Sequence, residues 1–149
     1  MVAMQWILSG YGSARFIWMI GSERVEIPSS YIGDALDGLM QAALDLQLGS
    51  SATFAYFMGE PDGYRMFFSG ASDEVYVQVV HFVDLQSEEG RWAGGTVSWA
   101  GRVGKDAFID DVCSMGEKVI RDNGSDGYER AWGKPFPASL LQKLKSGRG

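Results

Sequence analysis

Apolar and polar residues along this chain change their period three times. Met4–Leu8, Ala14–Ile20 and Arg24–Ile27 read as a meander of short strands, separated by a Gly10/Gly12 turn and by Gly21-Ser22, a dipeptide suited to a tight hairpin. Pro28 is expected to stop the third strand. From Ser30 to Leu48 the period becomes helical. Ile32, Leu36, Leu39, Met40, Ala43 and Leu46 recur on one side, and Asp34, Asp37, Gln41 and Asp45 mark the other. Ser29 or Ser30 offers a starting cap, and Gly49 falls where a left-handed terminal residue is wanted.

Strand character then returns over Thr53–Met58, Tyr64–Ser69, Glu74–Asp84 and Thr96–Val103, all rich in aromatic and β-branched residues. The turn Glu60-Pro61-Asp62-Gly63 predicts a hairpin, with Pro fixing one dihedral and Gly accepting a positive one. In Glu74–Asp84, Val75, Val77, Val79, His81 and Val83 share one face and Tyr76, Gln78, Val80 and Phe82 the other; with neither face plainly polar, this is expected to be a central strand. A loop over Gln86–Gly95 carries Glu88, Glu89, Arg91 and Trp92. Phe108, Val112, Met115 and Val119 then stripe a helix from about Lys105 to Asp122, which Asn123-Gly124 ends. A connector, Ser125–Pro137, and a short helix over Ser139–Lys145 follow, with residues 146–149 expected to fray. The order βββ-α-ββββ-α-α predicts a single α+β domain over residues 1–149. Its antiparallel twisted sheet has six or seven strands, with helices on one face and the other face partly open or used in a contact.

Composition supports that reading, since 149 residues with 46% hydrophobic content supply one core without disorder. Met1–Gly10 has no basic start and its apolar run is broken by Gln5 and Ser9, so no signal peptide is expected. No stretch is long enough to span a membrane. The lone Cys113 makes no intrachain disulfide, which fits a reducing compartment, and a cytoplasmic location is expected.

Charge is the most directional feature. Between Val25 and Tyr64 stand six carboxylates, Glu26, Asp34, Asp37, Asp45, Glu60 and Asp62, and no Lys or Arg, in a chain of net charge -6; the last twenty residues hold five bases and no acid. Such a segment suits a basic protein partner and repels nucleic acid.

Several kinds of chemistry lack their residues. One His and one Cys cannot build a zinc site. Asp122-Asn123-Gly124-Ser125-Asp126-Gly127 lacks the ordered ligands and terminal Glu of a calcium loop, and reads as a helix stop. No glycine run precedes a helix with a Lys and hydroxyl pair, so nucleotide hydrolysis is unsupported. No cofactor is expected. His81 is the one imidazole base, but mid-strand it reads as a satisfied core or edge residue, and Cys113 reads as a small buried hydrophobe. Paired carboxylates, Glu60 with Asp62 or Asp110 with Asp111, leave acid–base chemistry as the open enzymatic route.

Two candidate surfaces remain. Asp34, Asp37, Asp45, Glu60 and Asp62 could meet basic side chains of a partner, and a second, aromatic surface is offered by Trp92 in its loop with Tyr128, Trp132 and Phe136 in the connector. Tyr128, Trp132 and Phe136 fit a clamp holding the last helix on the sheet better than a second hot spot. Lys143, Lys145 and Arg148 read as solvated charges.

The segments SYIGDALDGLMQAAL (Ser30–Leu44), EPDGYRMFF (Glu60–Phe68) and DGYERAWGKPFPASLLQKL (Asp126–Leu144) resemble small bacterial α+β proteins, some similar in layout to immunity proteins of polymorphic toxin systems. The resemblance implies a cytoplasmic protein that neutralises a toxin by binding it, acidic because the toxin surface is basic. It transfers no binding residue. The reading is therefore a non-enzymatic binding domain using the Asp34, Asp37, Asp45 face and the Glu60–Gly63 turn. The alternatives are a small-molecule-binding or carboxylate-based enzymatic domain with an aromatic pocket between sheet and helices, or a homo-oligomer burying an open sheet face.

Overall fold

The computed structural model describes residues 2–70 and 72–148. Strands β1 (Met4–Leu8), β2 (Ser13–Ile20) and β3 (Glu23–Ser30) form an antiparallel three-stranded sheet in sequence order. Ile20 faces Glu23 across the Gly21-Ser22 turn, where Gly21 takes φ 60°. Pro28 does not stop β3. It sits opposite Arg15, and the strand runs on to Ser30, because β3 is an edge strand where a missing N–H breaks no obligatory ladder bond.

The first helix, α1 (Ala35–Gln47), starts later than its apolar pattern predicts. The Tyr31 N–H donates to the Gly12 carbonyl, and the Ile32 N–H reaches the Ser30 hydroxyl, so residues 31–33 are held as a turn between the end of β3 and the helix. Asp34, not Ser29 or Ser30, is the cap, and Ile32 is exposed outside the helix rather than on its apolar side. Leu36, Leu39, Met40, Ala43 and Leu46 are buried as their spacing predicts, and Gly49 ends the helix at φ 100°.

Strands β4 (Ala52–Met58), β5 (Gly63–Ser69), β6 (Glu74–Phe82) and β7 (Thr96–Gly104) form a second antiparallel sheet in sequence order. The seven strands expected are present, divided between two sheets rather than joined in one. Strand β6 is interior, as its two-sided pattern requires, and buries Val75, Val77 and Val79. It stops at Phe82 because Asp84 turns the chain, its carboxylate accepting from the backbone N–H groups of Gln86 and Ser87. In the β4–β5 hairpin the Glu60–Pro61 bond is cis and Gly63 does not take a positive φ. Glycine is needed at that position for space: a Cβ there would stand 2.5 Å from Leu85 Cδ1 and 2.6 Å from the Phe57 carbonyl oxygen.

Helix α2 (Lys105–Trp132) is interrupted, not ended, at Gly124 (φ 70°, ψ 165°), so most of the expected connector is a second helical stretch. Tyr128 and Trp132 are buried there, Trp132 edge-on to Trp6 of β1 and Tyr128 edge-on to Phe136, each at 5.3 Å, so these rings tie the second half of α2 to β1 and to the segment before the last helix, and do not clamp that helix onto a sheet. Helix α3 (Ala138–Arg148) includes residues 146–148 of the segment expected to fray, and Gly149 lies outside the described residues. Helix α1 packs along β4, α2 crosses β1, β2 and β7, and α3 closes against α1 and α2.

One continuous core joins both sheets and the helices. Phe16 of β2 stacks on Phe57 of β4 at 5.7 Å, Phe68 of β5 meets Phe108 of α2 at 5.0 Å, and Trp18 lies between Trp99 and Phe108 at 6.0 and 5.5 Å. These rings pack much of the space between the sheets and α2, and a groove of about 300 Å³ remains between β1 and α2, lined by Met4, Trp6, Leu8, Met115 and Val119. Phe54, Tyr56 and Tyr76 stand exposed on the opposite face of the four-stranded sheet, and loop 83–95 folds across part of it.

Candidate functional site

Edge strand β4 separates two grooves. Its alternation sends Ala55 and Phe57 inward and leaves Phe54 and Tyr56 outward, 41% and 45% exposed, their rings stacked 6.3 Å apart. This pair is a ridge. On its helix side, Asp34, Asp37, Gly38 and Gln41 of α1 face Phe54 and Tyr56 across a groove of about 290 Å³. On its sheet side, Arg65, Arg91 and Trp92 line a larger groove of about 550 Å³ with the same two rings.

The acidic residues singled out from the sequence do not form one continuous patch. Asp34 and Asp37 lie together in the helix-side groove. Burial and the neighbouring Asp34 charge push the Asp37 carboxyl above the usual aspartate range. Asp45 lies ~12 Å beyond Asp37 along the helix axis, next to Gln41 at the end of that groove. Its two oxygens are occupied by the Gln41 amide at 3.0 Å and the Thr53 hydroxyl at 2.8 Å. Glu60 and Asp62 border a separate depression with Ser13, Pro28 and Ser30.

Asp34 has work inside the fold. Its Oδ1 accepts from the Asp37 N–H at 3.5 Å and from the indole N–H of buried Trp132 at 3.3 Å. The Tyr128 hydroxyl is pushed far up by burial and then by the charges of Asp34 and Asp37, which places the start of α1 against the second half of α2. Asp62 accepts from or donates to His81 Nε2 at 3.0 Å, and the His81 ring lies on Tyr64 with centroids 4.8 Å apart. His81 is thus a satisfied, half-buried strand residue. Cys113 is buried in α2. Glu26, the remaining carboxylate of the acidic segment, is neutralised by Arg15 and Arg24 on its own sheet. Among the described residues no Lys or Arg pairs with Asp34, Asp37, Asp45 or Glu60.

Trp92, 59% exposed, is held in place by its neighbours: its ring covers the Arg65 guanidinium at 3.5 Å and meets Phe54 edge-on at 5.8 Å and 74°. Sequence reasoning found Trp92 but missed Arg65, Phe54 and Tyr56. The available signal was a lone base, Arg65, in a strand of large apolar side chains. Among the described residues, no group of three or more His, Cys, Asp or Glu is placed to hold a metal ion, and no helix is long and apolar enough to cross a membrane.

No family model matches the chain, and no curated protein matches it by sequence. A chain of the CdiA-CT/CdiI toxin and immunity complex from Enterobacter cloacae has a similar fold. The alignment covers 76% of this chain and 99% of that one, with a TM-score of 0.52 and 12% sequence identity. At that identity the likeness is one of fold.

Proposed function

We propose that this chain is a non-enzymatic protein-binding domain of immunity type, which acts in the cytoplasm by covering the basic surface of a toxin domain. The observation that carries the reading is the groove between α1 and β4, where Asp34 and Asp37 stand without a cationic partner beside the exposed rings of Phe54 and Tyr56. Carboxylates in such a setting steer a basic partner and select it, while adjacent aromatic rings supply desolvated contact area. The fold likeness to a chain from a toxin and immunity complex supports the same reading.

Between that groove, which holds Asp34 and Asp37, and the separate depression bordered by Glu60 and Asp62, the roles divide. Asp37 and Glu60 meet the partner's bases; Asp34 adds potential while bracing the helix; Asp45 and Asp62 contribute charge at the margins. The test expresses the toxin-like C-terminal segment encoded beside this chain's own reading frame, alone and together with this chain. Growth arrest relieved by this chain, and no longer relieved by an Asp37→Lys, Glu60→Lys variant with unchanged circular dichroism, supports the proposal. A harmless neighbour, or relief that survives both reversals, refutes it.

A further inference from the structure

The sheet-side groove has the opposite sign. Arg65 rises from β5 beneath Trp92 and is only 6% exposed, its guanidinium 3.5 Å from the Trp92 ring centroid, 5.1 Å from that of Phe82 and 5.9 Å from that of Phe54. Stacking occupies its faces. Its edge is another matter: Nε and Nη1 are buried and have no hydrogen-bond partner among the described residues. A guanidinium carries five N–H donors in a planar fork, and leaving them dry and unpaired is costly. Arg91 stands close enough that its charge, after burial, lowers the Arg65 pKa. No carboxylate among the described residues pairs with either arginine.

We propose that this groove receives a carboxylate side chain, Asp or Glu, of the protein partner, with Arg65 and Arg91 as its cationic floor and Phe54, Tyr56 and Trp92 as its walls. The inference rests on the protein-binding reading and extends it. The partner would present bases to the α1 side of the Phe54–Tyr56 ridge and an acid to the other, so that charge of both signs fixes its register. An incoming carboxylate at the mouth of the groove would offset the charge of the incompletely paired Arg65 guanidinium and relieve the repulsion between the two arginines. The groove is shallow and edged by large exposed rings, with Ile32 and Trp92 both accessible, which is the composition of a protein hot spot. A polyphosphate would meet the net charge of -6 and the acidic groove beyond the ridge.

The test uses the full chain and blocked glutamate (N-acetyl-glutamate amide), read in proton–nitrogen correlation spectra at the Arg65 Nε–H and Trp92 indole N–H. Blocked glutamine and inorganic phosphate are the comparison probes. Blocked glutamate is expected to move both resonances saturably while blocked glutamine leaves them in place. Arg91→Gln and Trp92→Ala, both at exposed positions, should weaken that binding roughly 3- to 10-fold without altering the rest of the spectrum. Equal responses to glutamate and glutamine, or none at Arg65, would overturn the proposal, as would tighter binding of phosphate than of glutamate. The titration involves no partner protein, so its failure is separable from a failed growth assay.

Discussion

Replacing Asp34 by alanine tests whether this carboxylate is a brace or a free docking charge. Its Oδ1 serves two donors, the Asp37 N–H at 3.5 Å and the Trp132 indole N–H at 3.3 Å. Losing an N-cap costs about 0.5–2 kcal/mol, and the long first bond puts this one near the lower figure. Trp132 is fully buried, so its indole N–H would be left without an acceptor at about 1–3 kcal/mol. Together the expected loss is about 2–3 kcal/mol, which for a chain of this size lowers Tm by roughly 4–12 °C. Asp34→Asn keeps an oxygen for both donors and should cost about 1 kcal/mol or less. Urea unfolding followed by far-ultraviolet circular dichroism measures each variant, and a double-mutant cycle with Trp132→Phe isolates the pair. A coupling of about 1 kcal/mol is expected. If Asp34→Ala stays within about 0.5 kcal/mol of the parent, or the two substitutions simply add, the bracing argument fails and Asp34 is a surface charge. Should the brace hold, reversing Asp34 in a binding assay would weaken the fold as well as the contact, which is why Asp37 and Glu60 are the positions to reverse.

Three further outcomes are expected. Asp111 on α2 is half-buried beside Asp110, and burial followed by that neighbouring charge raises its pKa above 3.8. The folded state therefore holds this proton more tightly than the unfolded chain. Asp111→Asn should give no advantage over the parent well below pH 3.8, and an advantage that grows as pH rises through the folded pKa and then levels, read by urea unfolding at a series of pH values. Gly133 closes α2 at φ 102°, so Gly133→Ala should lower stability by about 1–2 kcal/mol in thermal unfolding although its Cβ has room. Gly38, inside α1 with open space around it, should show the opposite sign, Gly38→Ala adding up to about 1 kcal/mol.

Local pattern made most of the fold legible. Val75, Val77 and Val79 face the core with an outer row behind them because strand side chains alternate, so a run with neither face plainly polar reads as an interior strand. The α1 stripe was equally plain. The start of α1 was misplaced because the pattern at Ser30–Gly33 permits helix, while a hydrogen bond from Tyr31 to Gly12, distant in sequence, helps hold residues 31–33 as a turn. Gly124 was read as a stop, yet the chain resumes helix beyond it because Tyr128 and Trp132 bury themselves against β1 and α1 only in that conformation. The site was less legible than the fold. Five carboxylates look equivalent in a sequence, but the structure spends Asp34 on Trp132, Asp45 on Thr53 and Asp62 on His81, and no local pattern announces those partners.

The sequence by itself determined the element order, the apolar faces and the segregation of negative charge, since each depends on residue type and short spacing alone. Tertiary structure decided the division into two sheets, the ridge of Phe54 and Tyr56, and the burial of Arg65 under Trp92. Each of these depends on which strand lies beside which helix or loop. Arg65 and Trp92 are far apart along the chain, and the stack forms only once loop 83–95 has folded back over β4 and β5. Side-chain attraction of that kind acts over a few ångströms, so it is set by packing rather than by sequence separation.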